Sequence, residues 1–121
     1  MFTMVVDGWM LIFIKTDNMF GALKSFLGIK PSANYAELVQ NGAKIIDVRT
    51  PTEYKSGHIK NSTNIPLQSL SQKLKSLNKA QTIITCCASG MRSANAKNIL
   101  KSNGFEKVYN GGGWQNLQNK I

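Results

Sequence analysis

The chain is poor in the residues that staple a fold together. Of its 121 residues only two are cysteine, Cys86 and Cys87, and only one is histidine, His58. Neighbouring side chains on an extended strand point to opposite sides, so Cys86 and Cys87 form no ordinary unstrained disulfide. That excludes a disulfide scaffold, makes a reducing compartment the default, and leads us to expect a cytoplasmic protein. Two Cys and one His spread over the chain do not make a zinc site, and no metal or other cofactor is expected. Acidic residues are also scarce: six Asp and Glu against fifteen Lys and Arg give a net charge of +9. Such an excess marks a nucleic-acid or anionic-membrane partner only where the basic residues cluster. Here all but two are lysines, set singly, with no basic run and no interleaved aromatics. No nucleic-acid partner is expected, and the charge reads as a solvated surface that draws small anions toward a site.

Long apolar runs are missing too. Met1 to Ile14 is largely apolar and ends in Trp9-Met10-Leu11-Ile12-Phe13-Ile14, but Asp7 interrupts it and Lys15 closes it. It is too short to span a bilayer and lacks the basic start and small-residue cleavage site of a signal peptide, so no membrane association is expected. Met19 would serve as the start of a shorter protein. We therefore assign residues 1–29 to an amino-terminal extension: a disordered arm, an appended element packed on the domain, or the product of an upstream start codon. Residues 30–121 form the domain. With 42% apolar and 17% charged residues, the chain can bury one core, and a single-domain monomer is expected.

What is present is regular punctuation. Asn34 followed by Glu37 reads as a capping box opening a short helix that Asn41-Gly42 ends. Lys44-Ile45-Ile46-Asp47-Val48 is a β-branched apolar run between turn residues, hence a buried strand. Thr50 caps a helical turn with Pro51 in its first turn. Asn64 to Leu67 is a brief extended piece, and Leu70, Leu74 and Leu77 keep helical spacing. Gln81 to Cys87 is a second strand, Arg92 to Asn103 a helix with Gly104 just past its end, and Val108-Tyr109 a third strand. Gly111 to Gly113 reads as a turn before a closing helix from Trp114 to Lys120. Alternation at this pitch points to an α/β fold with a parallel sheet covered on both faces.

In such folds ligands bind at the carboxyl ends of the strands, and Cys87 ends one. The residues Ala88-Ser89-Gly90-Met91 that follow are mostly small, and Gly90 permits a turn that aims backbone N–H groups inward at a helix amino terminus. A free cysteine is only a few per cent thiolate at neutral pH. Lowering its pKa by about two units takes about 2.7 kcal/mol. A helix terminus supplies up to about 1–2 kcal/mol and two or three charge-assisted hydrogen bonds about 1.5–3 kcal/mol each. The loop suffices to activate Cys87.

The chain resembles the single-domain rhodaneses, or thiosulfate sulfurtransferases. The resemblance rests on Asp47-Val48-Arg49 with Glu53-Tyr54, Gly57-His58-Ile59, Asn64-Ile65-Pro66-Leu67, Cys87-x-x-Gly90-x-Arg92-Ser93, and Tyr109-Asn110 leading into Gly112-Gly113-Trp114. These segments occur in the family's order and cover about residues 30 to 120. The resemblance implies a small three-layer fold with about five parallel strands and helices on both faces. It also implies a persulfide on Cys87 and transfer of sulfane sulfur from a donor such as thiosulfate to a thiol or cyanide acceptor, with a protein acceptor as a further candidate. Cys86 stands where the family usually has an apolar residue.

The remaining residues divide by role. Cys87 is the expected catalytic residue, and Ala88, Ser89, Gly90, Met91 and Arg92 the expected substrate-binding loop. Ala88 and Met91 supply amides and wall, and Ser89 either satisfies the turn or donates to the persulfide. Arg92 holds the anionic sulfur or leaving group, or else pairs with a carboxylate at the helix start. Asp47 and Arg49 support the site through a buried network with Arg92, Glu53 or His58. The resemblance makes the His58 segment structural, against a Cys–His dyad. Trp114 is a wall of the core or a platform beside the cleft, and Cys86 faces the core rather than resolving a disulfide. One rival, a cysteine phosphatase or arsenate reductase, uses a wider Cys-x5-Arg loop. Here only four residues separate Cys87 from Arg92, and none is an acid able to protonate a leaving oxygen. The other rival is a binding module or a persulfide relay without turnover.

Overall fold

The computed structural model describes residues 33–121. The amino-terminal extension, its possible start at Met19 and the boundary at residue 30 lie outside the described residues. Within them, Asn34 caps helix α1 (Tyr35–Gln40), its side chain accepting the Glu37 N–H at 3.1 Å. The reciprocal box forms one helix later. Thr50 caps α2 (Pro51–Ser56), accepting from the Glu53 N–H while the Glu53 side chain returns to the Thr50 N–H. The other helices are α3 (Leu67–Lys73), continued by one 3₁₀ turn, α4 (Met91–Ser102) and α5 (Trp114–Lys120).

The strands β1 (Lys44–Asp47), β2 (Thr63–Asn64), β3 (Ile83–Cys87) and β4 (Val108–Gly113) form one sheet in the order β2-β1-β3-β4, every pair parallel. The sheet thus has four strands among the described residues where the resemblance implied about five. Parallel neighbours need crossover connections, so helices cover both faces. Alternation along the strands sorts the core into two layers. Ile46, Ile83, Cys87 and Val108 pack with Leu70, Ala96, Leu100 and Phe105 on one side, and Ile45, Ile84 and Cys86 with Ile59 and Leu117 on the other. Cys86 faces that second core, as expected. No described helix is long and apolar enough to cross a membrane.

Helix α4 ends as its sequence reads. Gly104 takes φ +92°, its N–H bonds the Lys101 carbonyl, and the Phe105 N–H reaches back to Leu100, the two bonds of a Schellman cap. One reading fails. Gly111, Gly112 and Gly113 are not a turn but the second half of β4, with a register shift opposite Thr85 and Cys87 and Cys87 paired to Gly113. Here packing overrides propensity. A Cβ on Gly111 would stand 2.8 Å from Leu117, 2.9 Å from Ile84 and 3.0 Å from the Thr85 carbonyl. Only glycine lets α5 and β3 close on this strand.

Candidate active site

Cys87 is the last residue of β3 and is 1% exposed. The chain then turns through Ala88 and Ser89 to Gly90, whose φ of +113° lies where side chains are strained, and α4 begins. This turn folds the loop back on the sulfur. The Gly90 N–H donates to Cys87 Sγ at 2.9 Å and the Ser93 N–H at 3.4 Å, while Ser93 Oγ lies 3.4 Å from the same sulfur. Burial pushes the Cys87 thiol up, but the Ser93 hydroxyl and the amides of Ser93, Gly90 and Ser89 together outweigh it and bring it below its ordinary value. The adjacent thiol behaves oppositely. Burial first, then the Asp47 carboxylate, pushes Cys86 up to about 12. Two adjacent cysteines are thus shifted in opposite directions by the faces they occupy.

Arg92, in the first turn of α4, forms a bidentate pair with Glu53 of α2, Nη1 to Oε1 at 2.7 Å and Nη2 to Oε2 at 3.0 Å. Of the two roles expected for it, the carboxylate pair is the one this geometry contains. Both side chains are about one-third exposed, so the guanidinium remains reachable from solvent. The Arg92 and Thr50 hydrogen bonds hold Glu53 at about 2.

Asp47 and Arg49 pair with each other rather than with Arg92 or His58. Arg49 Nε lies 3.0 Å from both Asp47 oxygens and Nη2 2.8 Å from Oδ2. The same guanidinium donates to the carbonyls of Gly57 at 2.6 Å and Glu53 at 3.3 Å, and stacks over the Trp114 ring at 4.7 Å. Arg49 therefore ties Asp47 at the end of β1 to α2 and its C-cap Gly57, and Trp114 serves as its platform and as the wall against Gly57. His58 is exposed, stacked on Tyr54 at 3.7 Å between centroids, with Nδ1 2.7 Å from the Tyr54 carbonyl. The hydrogen bonds on Cys87 come from its own loop and α4 alone.

Sequence reasoning gave no site role to two residues that the fold brings to the sulfur, although both stand in the segments that carry the resemblance. Ser93 is fully buried, and Thr85 Oγ1 holds its carbonyl at 2.9 Å. Asn110, on β4, places Oδ1 2.6 Å from Ser93 Oγ and accepts the Gly112 N–H at 2.9 Å. Ser93 was visible as the residue after Arg92 on the first helical turn, where a side chain points back toward the loop. Asn110 stood in the Tyr109-Asn110 segment, but its nearness to the sulfur was not readable there, because only the β3–β4 register brings it near.

The fold is thus an α/β protein with a parallel sheet that sets the Cys87 thiol at a strand end, with backbone amides at the start of the following helix directed at its sulfur. The chain belongs to the family of the rhodanese-like domain, whose model matches residues 31–120. It is 32% identical over 84 residues to thiosulfate sulfurtransferase GlpE of Vibrio cholerae, covering 69% of this chain and 79% of that protein. It is 36% identical over 80 residues to the uncharacterized protein YqhL of Bacillus subtilis, covering 65% of this chain and 64% of YqhL's length. Among solved structures, a rhodanese with anions from E. coli superposes with a TM-score of 0.59 at 32% identity, covering 62% of this chain and 91% of that one.

Proposed function

We propose that the protein is a sulfurtransferase that carries sulfane sulfur as a persulfide on Cys87. The observation that carries this reading is the convergence of the Gly90 and Ser93 amides on Sγ. The Cys87 thiolate attacks the outer sulfur of a donor such as thiosulfate. A Cys87 S–S bond forms, the donor's S–S bond breaks, and sulfite leaves with the electron pair. A thiolate or cyanide acceptor then takes the outer sulfur and returns the Cys87 thiolate. The Gly90, Ser93 and Ser89 amides stabilise the negative sulfur, Ala88 and Met91 shape the mouth, and Arg92 draws the anionic donor. Asp47, Arg49 and Trp114 hold α2 in place, and His58 packs beside it. At 1% exposure Cys87 meets a single atom presented end-on, which suits a terminal sulfur better than a phosphoryl group, and the four-residue loop favours the same choice.

A second reading is favoured by Met91. This residue is 79% exposed at the mouth, an apolar contact suited to a protein acceptor in a persulfide relay. Mass spectrometry of the intact protein after thiosulfate treatment tests both. One added sulfur atom is expected on the wild type and on Cys86→Ser, and none on Cys87→Ser. Release of that sulfur by cyanide with repeated turnover supports the enzyme, and release only to a purified protein acceptor supports the relay. Equal loss in both cysteine variants, or appreciable turnover of an aryl phosphate by the wild type, would overturn the assignment.

A further inference from the structure

Ser93 has one hydroxyl proton and three acceptors within reach: Asn110 Oδ1 at 2.6 Å, the Gly90 carbonyl at 3.0 Å and Cys87 Sγ at 3.4 Å. The Asn110 amide cannot turn to relieve the competition. Its Oδ1 accepts the Gly112 N–H at 2.9 Å, and its Nδ2 faces the Gly90 carbonyl at 3.4 Å. A flip would set an NH₂ against the Gly112 N–H and an oxygen against a carbonyl. Oδ1 is thereby fixed as an acceptor, and it makes the shortest contact that Ser93 has.

We propose that Asn110 is a positioning residue that competes with Cys87 Sγ for the Ser93 hydroxyl proton, so that Ser93 turns between them as charge arrives at and leaves the sulfur. In the thiol state the S–H donates to Ser93 Oγ, which donates to Asn110. When the thiol proton leaves to water, the S–H donor is gone and Ser93 turns its own proton to the thiolate. No proton leaves Ser93 in either direction. This rests on the sulfur-transfer reading for its use: once a persulfide forms, the charge sits on the outer sulfur and the hydroxyl returns to Asn110. An over-stabilised thiolate is a poorer nucleophile, and the pull of Asn110 keeps Cys87 from that state.

The other charged and titratable groups around Cys87 are Cys86 beside it, Asp47 and Arg49 at the end of β1, and Arg92 on α4 with Glu53 of α2 upon it. None of these contacts Ser93 Oγ or Asn110 Oδ1 in a hydrogen bond. Two substitutions therefore separate the device from its surroundings.

The test is the pH dependence of iodoacetamide alkylation of Cys87, located by peptide mass spectrometry, in the full chain. Ser93→Ala is expected to move the ionisation midpoint up. Asn110→Ala is expected to move it down by about half a pH unit, a threefold gain in thiolate fraction below the midpoint. In the Ser93→Ala background, Asn110→Ala should shift nothing, and Ser93→Thr should restore the wild-type midpoint. Asn110→Ser, which withdraws the acceptor but keeps a polar residue on β4, gives the same expected direction if the alanine variant does not fold. An Asn110 effect of equal size with and without Ser93, or none at all in a folded variant, overturns the proposal. Alkylation requires no sulfur donor, so a chain that takes up no sulfur yet shows these shifts overturns the sulfur-transfer reading and supports this one.

Discussion

Four donors converge on the Glu53 carboxylate: the two terminal nitrogens of Arg92 and the N–H and hydroxyl of Thr50. They lower it from about 4.5 to about 2. A carboxyl whose folded value lies below its unfolded value adds stability above the unfolded value and loses it as pH falls through the folded one. The window here is therefore pH 4.5 down to 2. Glu53 and Arg92 are each about one-third exposed, so screening limits the pair to about 1 kcal/mol or less. Urea titrations of wild type and Glu53→Gln should differ at pH 7 and converge by about pH 2. A difference that does not change with pH would mean the pair is electrostatically idle. The same pair bears on Arg92: its guanidinium reaches an anionic donor only by sharing or leaving Glu53, so Glu53→Gln should also lower KM for such a donor.

The lesson at the level of elements is where sequence patterns succeed and where packing overrules them. In β4, Gly111→Ala puts a methyl within 3.0 Å of two side chains and a carbonyl. Overpacking of this kind costs about 1–3 kcal/mol. In a domain of this size that is a fall in Tm of roughly 4–8 °C per kcal/mol, readable by differential scanning calorimetry. An unchanged Tm would mean that α5 gives way freely. Strands β1 and β3 were legible because β-branched runs between turn residues have few other uses. The loop was legible because a cysteine before small residues and a helix start is a local pattern. The glycine half of β4 was not, since glycine reads as a turn wherever its reason for being there comes from another element. The role of Asn110 and the pairing of Asp47 with Arg49 were hidden for a related cause. Their partners are set by register and by the path of α2, and neither is written in the spacing.

At the scale of the whole molecule the dominant property is the charge of +9, carried mostly by lysines set singly along the sequence. It acts as a field rather than as contacts. A dianion such as thiosulfate is concentrated near a surface of that charge, and the effect weakens as the Debye length falls from about 10 Å at 0.1 M salt to about 3 Å at 1 M. The buried sulfur and its ring of amides are screened far less, because no salt enters between Gly90 or Ser93 and Sγ. Salt should therefore raise KM for thiosulfate while leaving kcat nearly unchanged. The control uses two alkylating agents of similar shape on Cys87, neutral iodoacetamide and anionic iodoacetate. Their rate ratio should shift toward the neutral reagent as salt rises, at a pH where the thiolate fraction is constant. A kcat that falls in step with kcat/KM would place the salt effect at the sulfur itself. A ratio insensitive to salt would show that the protein's positive charge does not steer anions to Cys87.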